Sequence, residues 1–185
     1  KEIGRGGMGI VYSAKASDGE RYALKVASFA YSAEGTARTQ LMRDARNAIE
    51  VGRKNPHPAV ATVHRVDEAV VRGVPIVYLV SELVEGASLA QYVAARGPLE
   101  ESAALEVFQQ VAEGLAAIHN SEILHLDVTP GNILLVGVDP ELETAPSTWE
   151  AKIVDFGISK HTSAQTVRGI EGNPSYMSPE QCEGR

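Results

Sequence analysis

Two short polar segments in the second half of the chain constrain its fold more than any other feature. The first covers residues 125–132 and reads HLDVTPGN, and the second covers residues 155–157 and reads DFG. Together they place two carboxylates, Asp127 and Asp155, and one carboxamide, Asn132, on loops. Oxygen ligands of this kind suit Mg²⁺, and a carboxylate can also orient a hydroxyl group and accept its proton. An isolated H-x-D segment is equally compatible with a capped turn, so its chemistry depends on what accompanies it.

The composition excludes several classes of protein. With 185 residues, 44% of them hydrophobic, the chain can form one sizeable core or two small ones. A net charge of −7 argues against nucleic acid or an anionic membrane as a partner. The single cysteine, Cys182, excludes an intramolecular disulfide framework and fits a reducing compartment. We therefore expect a cytoplasmic location, either as a free protein or as the cytoplasmic domain of a membrane-anchored one.

The first part of the chain has the pattern of strands around one helix. Runs of β-branched and aromatic residues are separated by short turn segments, at residues 17–20 and at Arg72-Gly73. Between the two hairpins lies a stretch without proline whose apolar residues recur at helical spacing. The predicted strands cover residues 10–16, 21–26, 59–68 and 75–82, and the predicted helix covers residues 36–54.

After residue 85 the periodicity becomes helical. A short helix over residues 88–96 should end at Gly97-Pro98, and a long amphipathic helix is predicted over residues 100–120. Two strands follow, over residues 133–136 and 152–154, joined by a surface loop. We expect the apolar stripe of the long helix to face the core; it consists of Leu105, Phe108, Val111, Ala112, Leu115 and Ile118.

A glycine-rich segment near the N-terminus, residues 4–11 (GRGGMGIV), fits the pattern G-x-G-x-x-G-x-V. Glycines let a backbone approach phosphates closely, but a dinucleotide-binding turn or a plain hairpin fits such a segment equally well. A dinucleotide turn should open a helix, whereas β-prone residues follow here. Lys25, taken alone, reads as a surface lysine. It lies on the next strand but one, however, and is placed to reach the same phosphates as Gly4, Gly6 and Gly9.

In this order and spacing, the motifs resemble the catalytic domain of protein kinases, in particular the bacterial, eukaryotic-like serine/threonine kinases. Residues 79–86 (LVSELVEG) resemble the connection between the two lobes, and residues 172–181 (GNPSYMSPEQ) resemble the end of the activation segment. The resemblance implies an α+β, two-lobed fold. Residues 1–84 would form a small β-rich lobe that binds nucleotide, and residues 85–185 would form part of a helical catalytic lobe. The fold would be truncated after the activation segment, as in a piece of a longer protein.

The resemblance also implies roles for individual residues. Asp127 would orient the substrate hydroxyl, Lys25 would hold the α- and β-phosphates, and Asn132 and Asp155 would bind magnesium. Asp44 stands where the family has the glutamate that braces the lysine, with Glu50 as the alternative. The implied cofactors are ATP and Mg²⁺, and the implied partner is a protein with Ser or Thr hydroxyls. No nucleic-acid or membrane contact is expected within this segment, and the oligomeric state stays open. The nucleotide-binding residues would be Gly4, Gly6, Gly9, Val11, Ala23, Lys25, Glu82, Val84 and Leu134.

Three positions depart from the family's pattern. Leu126 replaces an arginine that pairs with activation-segment phosphate, Thr129 replaces a lysine that faces the transferred phosphate, and Asn173 replaces a threonine. Our hypothesis is that Thr129 and Asn173 form a neutral, hydrogen-bonded substitute that leaves a functional but slower site. These departures keep a second interpretation open, that of a pseudokinase acting as a nucleotide-binding interaction module. A small-molecule kinase of the aminoglycoside-phosphotransferase type is a third, against which residues 172–181 argue.

Overall fold

The structure is a computed structural model that describes residues 1–6, 9–28, 35–141, 146–155, 160–161 and 173–183. Phe156 and Gly157 of the DFG segment lie outside these described residues, and so does Gly7 of the glycine-rich segment. The chain divides into two compact units. The first unit comprises residues 1–54 and 62–83, and the second comprises residues 55–61 and 84–185.

The first unit is built on a five-stranded antiparallel sheet with the strand order β1-β2-β3-β5-β4. The two hairpins predicted from the turn signals are confirmed. In the turn between β4 and β5, Arg72 and Gly73 have φ angles of 51° and 81°, the conformation that two-residue hairpin turns require. The strands are β1 (Glu2–Gly6), β2 (Gly9–Lys15), β3 (Arg21–Ala27), β4 (Val63–Val71) and β5 (Val74–Glu82).

One helix, α1 (Gly35–Lys54), packs against β4 and β5 and closes the core of the first unit. Its buried residues recur at helical spacing, which is the pattern that predicted it. The guanidinium of Arg38 in α1 also forms a two-pronged ion pair with the carboxylate of Glu68 in β4. The core consists of Ala27, Leu41, Met42, Ala45, Ile49, Val66, Val77 and Leu79.

The second unit combines helices with short strands. Helix α2 (Leu89–Arg96) begins at a capping box formed by Ser88 and Gln91, and it ends at Gly97, where φ is 85°. A three-stranded antiparallel sheet has the order β6-β8-β9. The remaining elements are β6 (Gly86–Ser88), α3 (Glu101–His119), β7 (Ile123–Leu124), a 3₁₀ turn (Pro130–Asn132), β8 (Ile133–Val136), β9 (Ala151–Ile153), β10 (Lys160–His161) and α4 (Pro179–Cys182). The mixed α+β class is confirmed.

The predicted core face of helix α3 is partly wrong. Leu105 and Phe108 are 66% and 51% exposed, and Ala112 is exposed as well. The buried face includes two small residues that hydropathy alone does not mark. One of them, Gly114, lets the helix approach closely, because a Cβ there would lie 3.1 Å from Ile153 and 3.2 Å from the Ala59 carbonyl. The buried residues of α3 are Ala103, Val107, Val111, Gly114 and Ile118.

Helix α3 also fixes the start of strand β9. The side-chain amide of Gln110 donates to the carbonyl of Trp149 at 2.8 Å and accepts from the N–H of Ala151 at 3.0 Å. The loop that precedes β9 is thus tied to the helix just where the strand begins. Among the helices of the described residues, none combines the length and apolar character needed to cross a bilayer.

Candidate active site

Residues 125–132 and Asp155 adjoin the same end of the strand pair β8–β9 in the second unit. Ile133 of β8 lies opposite Ile153 of β9 in an antiparallel register, and the N–H of Val154 donates to the carbonyl of Asn132 at 2.9 Å. Asp155 is the next residue. It is half-buried with a φ of 67°, a left-handed conformation that aspartate tolerates better than most residues. The pairing therefore places Asn132 and Asp155 at the same end of the β8–β9 pair.

His125 braces the 125–132 loop from inside the unit. Its side chain is 1% exposed. Nδ1 lies 3.3 Å from the N–H of Asp127, which can only donate, so Nδ1 accepts and the ring proton sits on Nε2. Nε2 then donates to the carbonyl of Val154 at 3.1 Å. His125 thus joins the loop to the segment that carries Asp155.

The carboxylate of Asp127 is oriented by donors from two different segments. Asn132 Nδ2 donates to Asp127 Oδ2 and also to the Asp127 carbonyl, both at 2.9 Å. The N–H of Asn173 approaches Asp127 Oδ1 at 3.3 Å. Because the amide nitrogen of Asn132 serves both of its acceptors, the amide oxygen is the atom of this side chain that can ligate a cation.

The oxygen atoms that the second unit offers as metal ligands suit Mg²⁺. They belong to the Asn132 amide and the Asp155 carboxylate, both hard oxygen ligands. Within the ranges the structure describes, no group of three or more His, Cys, Asp or Glu side chains could hold a metal ion by itself. A cation held by Asn132 and Asp155 would therefore need further oxygens, as Mg²⁺ sites completed by substrate phosphates and water do.

The three positions that depart from the family's pattern surround Asp127. Leu126 has a φ of 65°, and its carbonyl accepts a hydrogen bond from Gln181 Nε2 at 2.9 Å. Thr129 is buried, and with Asn173 it lines a cavity of about 350 Å³ beside the loop. The expected hydrogen bond between Thr129 and Asn173 is wrong, since none joins these two described residues. The side-chain oxygen of Asn173 accepts from the N–H of Ser175 at 3.1 Å instead.

The predicted phosphate-binding lysine lies in the sheet of the first unit. Lys25 in β3 is paired with Val11 of β2 and with Leu79 of β5. Side chains directly opposite one another share a face of the sheet, and Leu79 belongs to the core that α1 covers. Lys25 and Val11 are therefore on the face of the sheet that carries α1, as is Ala23, two residues away along β3.

The carboxylate expected to brace Lys25 has two candidates, and both lie in α1. The backbone of Asp44 is part of the helix, but its side chain lies outside the described part of the chain. Glu50 is exposed and pairs with Lys54 at 2.9 Å, one turn further along the helix. Glu50 is thus occupied by a local ion pair, so Asp44 stays the prediction for this role.

The three predicted phosphate-binding glycines differ in what their neighbours allow. A Cβ at Gly9 would lie 2.1 Å from the Val26 carbonyl, and φ is 152°, so the β2–β3 pairing itself requires glycine there. A Cβ at Gly4 would make only ordinary contacts with Val11, at 3.8 Å or more, and one at Gly6 would meet nothing within 4 Å. No intramolecular contact among the described residues explains glycine at position 6.

The predicted adenine-binding residues are divided between the units. Glu82 ends β5, and its N–H donates to the carbonyl of Thr62 at 2.8 Å. Because this N–H is already hydrogen-bonded, a contact between Glu82 and adenine would use another group of the residue. Val84 begins the second part of the second unit. Leu134 lies in the middle of the β6-β8-β9 sheet, opposite Ser88 and Lys152.

Sequence analysis did not single out Gln181. The spacing of Ser178 and Gln181 is the signature of a capping box, and the structure contains that box. The hydrogen bond from Gln181 to Leu126 spans 55 residues of sequence, and no local pattern announces such a contact.

Comparison with known proteins finds similarity along almost the whole chain. The protein kinase domain family matches residues 1–185. The serine/threonine-protein kinase PrkC of Bacillus subtilis is 31% identical over 98% of this chain and 26% of its own length. The serine/threonine-protein kinase pkn2 of Myxococcus xanthus is 34% identical over 100% of this chain and 21% of its own length. The serine/threonine-protein kinase PknA of Mycobacterium tuberculosis is 33% identical over 98% of this chain and 40% of its own length. The chain thus spans between about a fifth and two fifths of the length of these relatives.

Proposed function

Because this chain belongs to the protein kinase domain family, we propose that it transfers the γ-phosphoryl group of ATP to Ser or Thr hydroxyls of protein substrates. The observation that carries this proposal is the arrangement around Asp127. Its carboxylate is held by the Asn132 amide and approached by the Asn173 N–H, and the same amide keeps its oxygen for a cation. A base and a metal ligand thus share one hydrogen-bonded unit.

In the proposed reaction Asp127 accepts a hydrogen bond from the substrate hydroxyl and orients it toward the γ-phosphorus. As the new P–O ester bond forms, the bond from the γ-phosphorus to the β–γ bridging oxygen breaks, ADP leaves, and Asp127 takes the proton of the hydroxyl. Asn132 keeps the carboxylate from rotating, and His125 fixes the peptide that carries it. Such positioning supplies most of the rate in phosphoryl transfer, which asks little covalent chemistry of the protein.

Each unit contains residues that we propose as ligands of magnesium or ATP. Asn132 and Asp155 are the proposed ligands of Mg²⁺, which when bound neutralises charge on the phosphates. We propose that Lys25 holds the α- and β-phosphates and that Asp44 keeps the lysine in place. The backbone at Gly4, Gly6 and Gly9 would cover the phosphates, and Gly9 also meets the steric requirement of the β2–β3 pairing. Val11, Ala23, Glu82, Val84 and Leu134 are the proposed contacts of the nucleoside.

A protein substrate is favoured by the way residues 173–183 adjoin the site. Asn173 contacts Asp127 and Gln181 contacts Leu126, so a polypeptide segment lies beside the base, next to the place where a substrate chain would present its hydroxyl. Serine/threonine kinase relatives support the same substrate class.

The departures at Leu126 and Thr129 favour a second candidate function, a pseudokinase that binds nucleotide and signals by its shape. The family's lysine beside the transferred phosphate is absent, and removing a cation from developing negative charge can cost about 10²-fold or more in rate. Asp127-dependent turnover separates the two functions.

The test uses the full-length protein with Mg²⁺, ATP and a generic Ser/Thr protein substrate. Asp127→Asn removes the base with almost no change of shape, and we expect kcat to fall about 10²–10⁴-fold while ATP still binds. Asp139→Asn, at an exposed loop position of the same unit, is the matched control and should retain wild-type kcat. ATP binding by the wild type without Asp127-dependent transfer would favour the pseudokinase.

A further inference from the structure

Gln181 sits in a capping box, but its side chain does more than cap a helix. Helix α4 begins after Ser178, whose Oγ accepts from the N–H of Gln181 at 3.4 Å. In return Gln181 Oε1 accepts from the N–H of Ser178 at 3.2 Å. The other half of the amide, Nε2, donates to the carbonyl of Leu126 at 2.9 Å. Since a carbonyl can only accept and an N–H can only donate, both contacts require this orientation of the amide.

The acceptor of this hydrogen bond belongs to the peptide that leads into Asp127. The carbonyl of Leu126 and the N–H of Asp127 are the two polar ends of one planar peptide unit. Gln181 binds the carbonyl end, and His125 Nδ1 binds the N–H end. Because side chains bind this peptide plane at both ends, the plane cannot rotate without breaking one of the two hydrogen bonds.

The backbone at this peptide needs such support. Leu126 has a φ of 65°, a conformation that leucine, unlike glycine, rarely adopts and that persists only where the surrounding structure determines it. Rotation of the same peptide changes ψ at Leu126 and φ at Asp127, the torsions that relate the Asp127 side chain to the backbone before it. The orientation of Asp127 therefore depends on contacts to Leu126 as well as on those to its own side chain.

We propose that Gln181 is a positioning residue for Asp127, acting through the peptide between Leu126 and Asp127. This proposal rests on the proposed function, because it assigns to Asp127 the role of orienting the substrate hydroxyl. It assigns Gln181 no contact with substrate or nucleotide. Loss of its hydrogen bond should lower the rate of transfer and leave nucleotide affinity almost unchanged.

The chain contains a matched pair for testing this role. Ser88 and Gln91 form the same capping box at the start of α2, with Gln91 N–H to Ser88 Oγ at 3.1 Å and Ser88 N–H to Gln91 Oε1 at 2.8 Å. Gln91 is exposed, and within the described ranges its amide nitrogen donates no hydrogen bond. The two glutamines therefore share the helix-capping role and differ in the bond to Leu126.

The experiment compares Gln181→Glu with Gln91→Glu in the full-length protein. Glutamate serves at this position of a capping box as well as glutamine does, but its carboxylate has no hydrogen to donate to the Leu126 carbonyl. We expect Gln181→Glu to lower kcat about tenfold to 10²-fold, the size of effect a small misplacement of a catalytic group causes. The KM for ATP should stay within about twofold, since no binding group is lost. Gln91→Glu should change neither value.

The pH dependence of kcat provides a further test, because a purely structural role of Gln181 would not change it. A protonated glutamate carries an O–H that can donate to the Leu126 carbonyl, so the ratio of kcat in Gln181→Glu to kcat in Gln91→Glu should rise as the pH is lowered from 8 toward about 5.5. Gln181→Met, which can neither donate nor titrate, should show a lowered kcat at every pH. It also serves as the second variant if Gln181→Glu does not fold.

The outcomes separate the two proposals. If the wild type shows no Asp127-dependent transfer, the proposed function fails and the role of Gln181 fails with it. If the wild type transfers phosphate and both Gln181 variants retain its kcat, only the role of Gln181 is overturned. A loss of kcat that appears equally in Gln91→Glu would also overturn it, because capping alone would then account for the effect.

Discussion

The 125–132 loop of the second unit and the β1–β2 strand pair of the first unit carry predicted site residues in opposite ways. In the loop, His125, Asp127 and Asn132 are each held by hydrogen bonds within their own unit. In the strand pair, Gly6 has nothing within 4 Å of the place where a Cβ would stand. The loop is therefore organised before any ligand arrives, whereas no contact among the described residues accounts for glycine at position 6, where we predict a ligand close to the backbone.

This difference predicts that changes in the loop act mainly on kcat, whereas changes at open positions of the strand pair act mainly on KM. A preformed catalytic group loses transition-state stabilisation when it is disturbed, and a backbone that only receives the phosphates loses ground-state binding. The following predictions test that contrast.

Among the changes that test this contrast, the largest effect is expected from Asn132→Ala. This change removes the donor that holds Asp127 Oδ2 and the Asp127 carbonyl, and it removes the proposed cation ligand at the same time. We expect kcat in the full-length protein to fall by about 10²–10³-fold, and the Mg²⁺ concentration that gives half-maximal rate to rise.

Asn120→Ala is the control for this change, because Asn120 is an exposed residue at the end of α3 in the same unit. It should leave both kcat and the Mg²⁺ dependence unchanged. If Asn132→Ala raised the KM for ATP without lowering kcat, the loop would not be the preorganised element that its hydrogen bonds indicate.

The second prediction compares two glycines of the same segment. Gly9→Ala places a Cβ 2.1 Å from the Val26 carbonyl at a φ of 152°, so β2 and β3 must separate locally. We expect a loss of about 2–4 kcal/mol in the free energy of unfolding, measured by denaturant titration. Gly6→Ala meets open space and should leave that free energy unchanged.

Activity separates the two glycine variants in the other direction. Gly6→Ala should raise the KM for ATP by about threefold to tenfold with kcat almost unchanged, because it obstructs ground-state binding. An unchanged KM in Gly6→Ala would mean that position 6 does not approach the phosphates, and the contrast between loop and strand pair would lose its basis.

Much of this architecture follows from local signals in the sequence. The hairpin at Arg72-Gly73 and helix α1 are where turn residues and helical spacing predict them, since those signals act over a few residues. The core face of α3 is predicted only in part, with Val111 and Ile118 buried as expected. The prediction fails at Leu105 and Phe108, which are hydrophobic but exposed. It also misses Gly114, whose small size allows close packing against Ala59 and Ile153.

The role of a site residue can be predicted from the sequence where the chemistry of its own side chain determines that role. It cannot be predicted where a contact with a residue far away in the sequence determines it. Asp127 and Asn132 could be named because the motifs that accompany their loop indicate its chemistry, and the structure joins the two residues by a hydrogen bond. The bond from Gln181 to Leu126 crosses 55 residues, and the use of the Asn173 backbone in place of its side chain depends on the turn at Ser175. Both require the folded backbone to be known.

The smallest effect is expected at the ion pair between Arg38 and Glu68, which tests whether the first unit depends on polar contacts as the loop does. Both side chains are about one third exposed, 35% and 37%. The hydrogen bond from Arg38 lowers the pKa of Glu68 from its ordinary value of 4.5.

A carboxyl group whose pKa is lower in the folded state stabilises the fold above its unfolded pKa, and that contribution is lost as the pH falls through the lowered folded value. Glu68→Gln should therefore lower Tm by only about 1–3 °C at pH 7, and the difference from wild type should shrink as the pH falls below 4.5 and through the lowered folded pKa. Glu50→Gln removes the more exposed, local pair with Lys54 and should have a still smaller effect. A large loss of Tm in Glu68→Gln would show that α1 is held by charge, whereas the apolar core beneath it predicts that packing holds it.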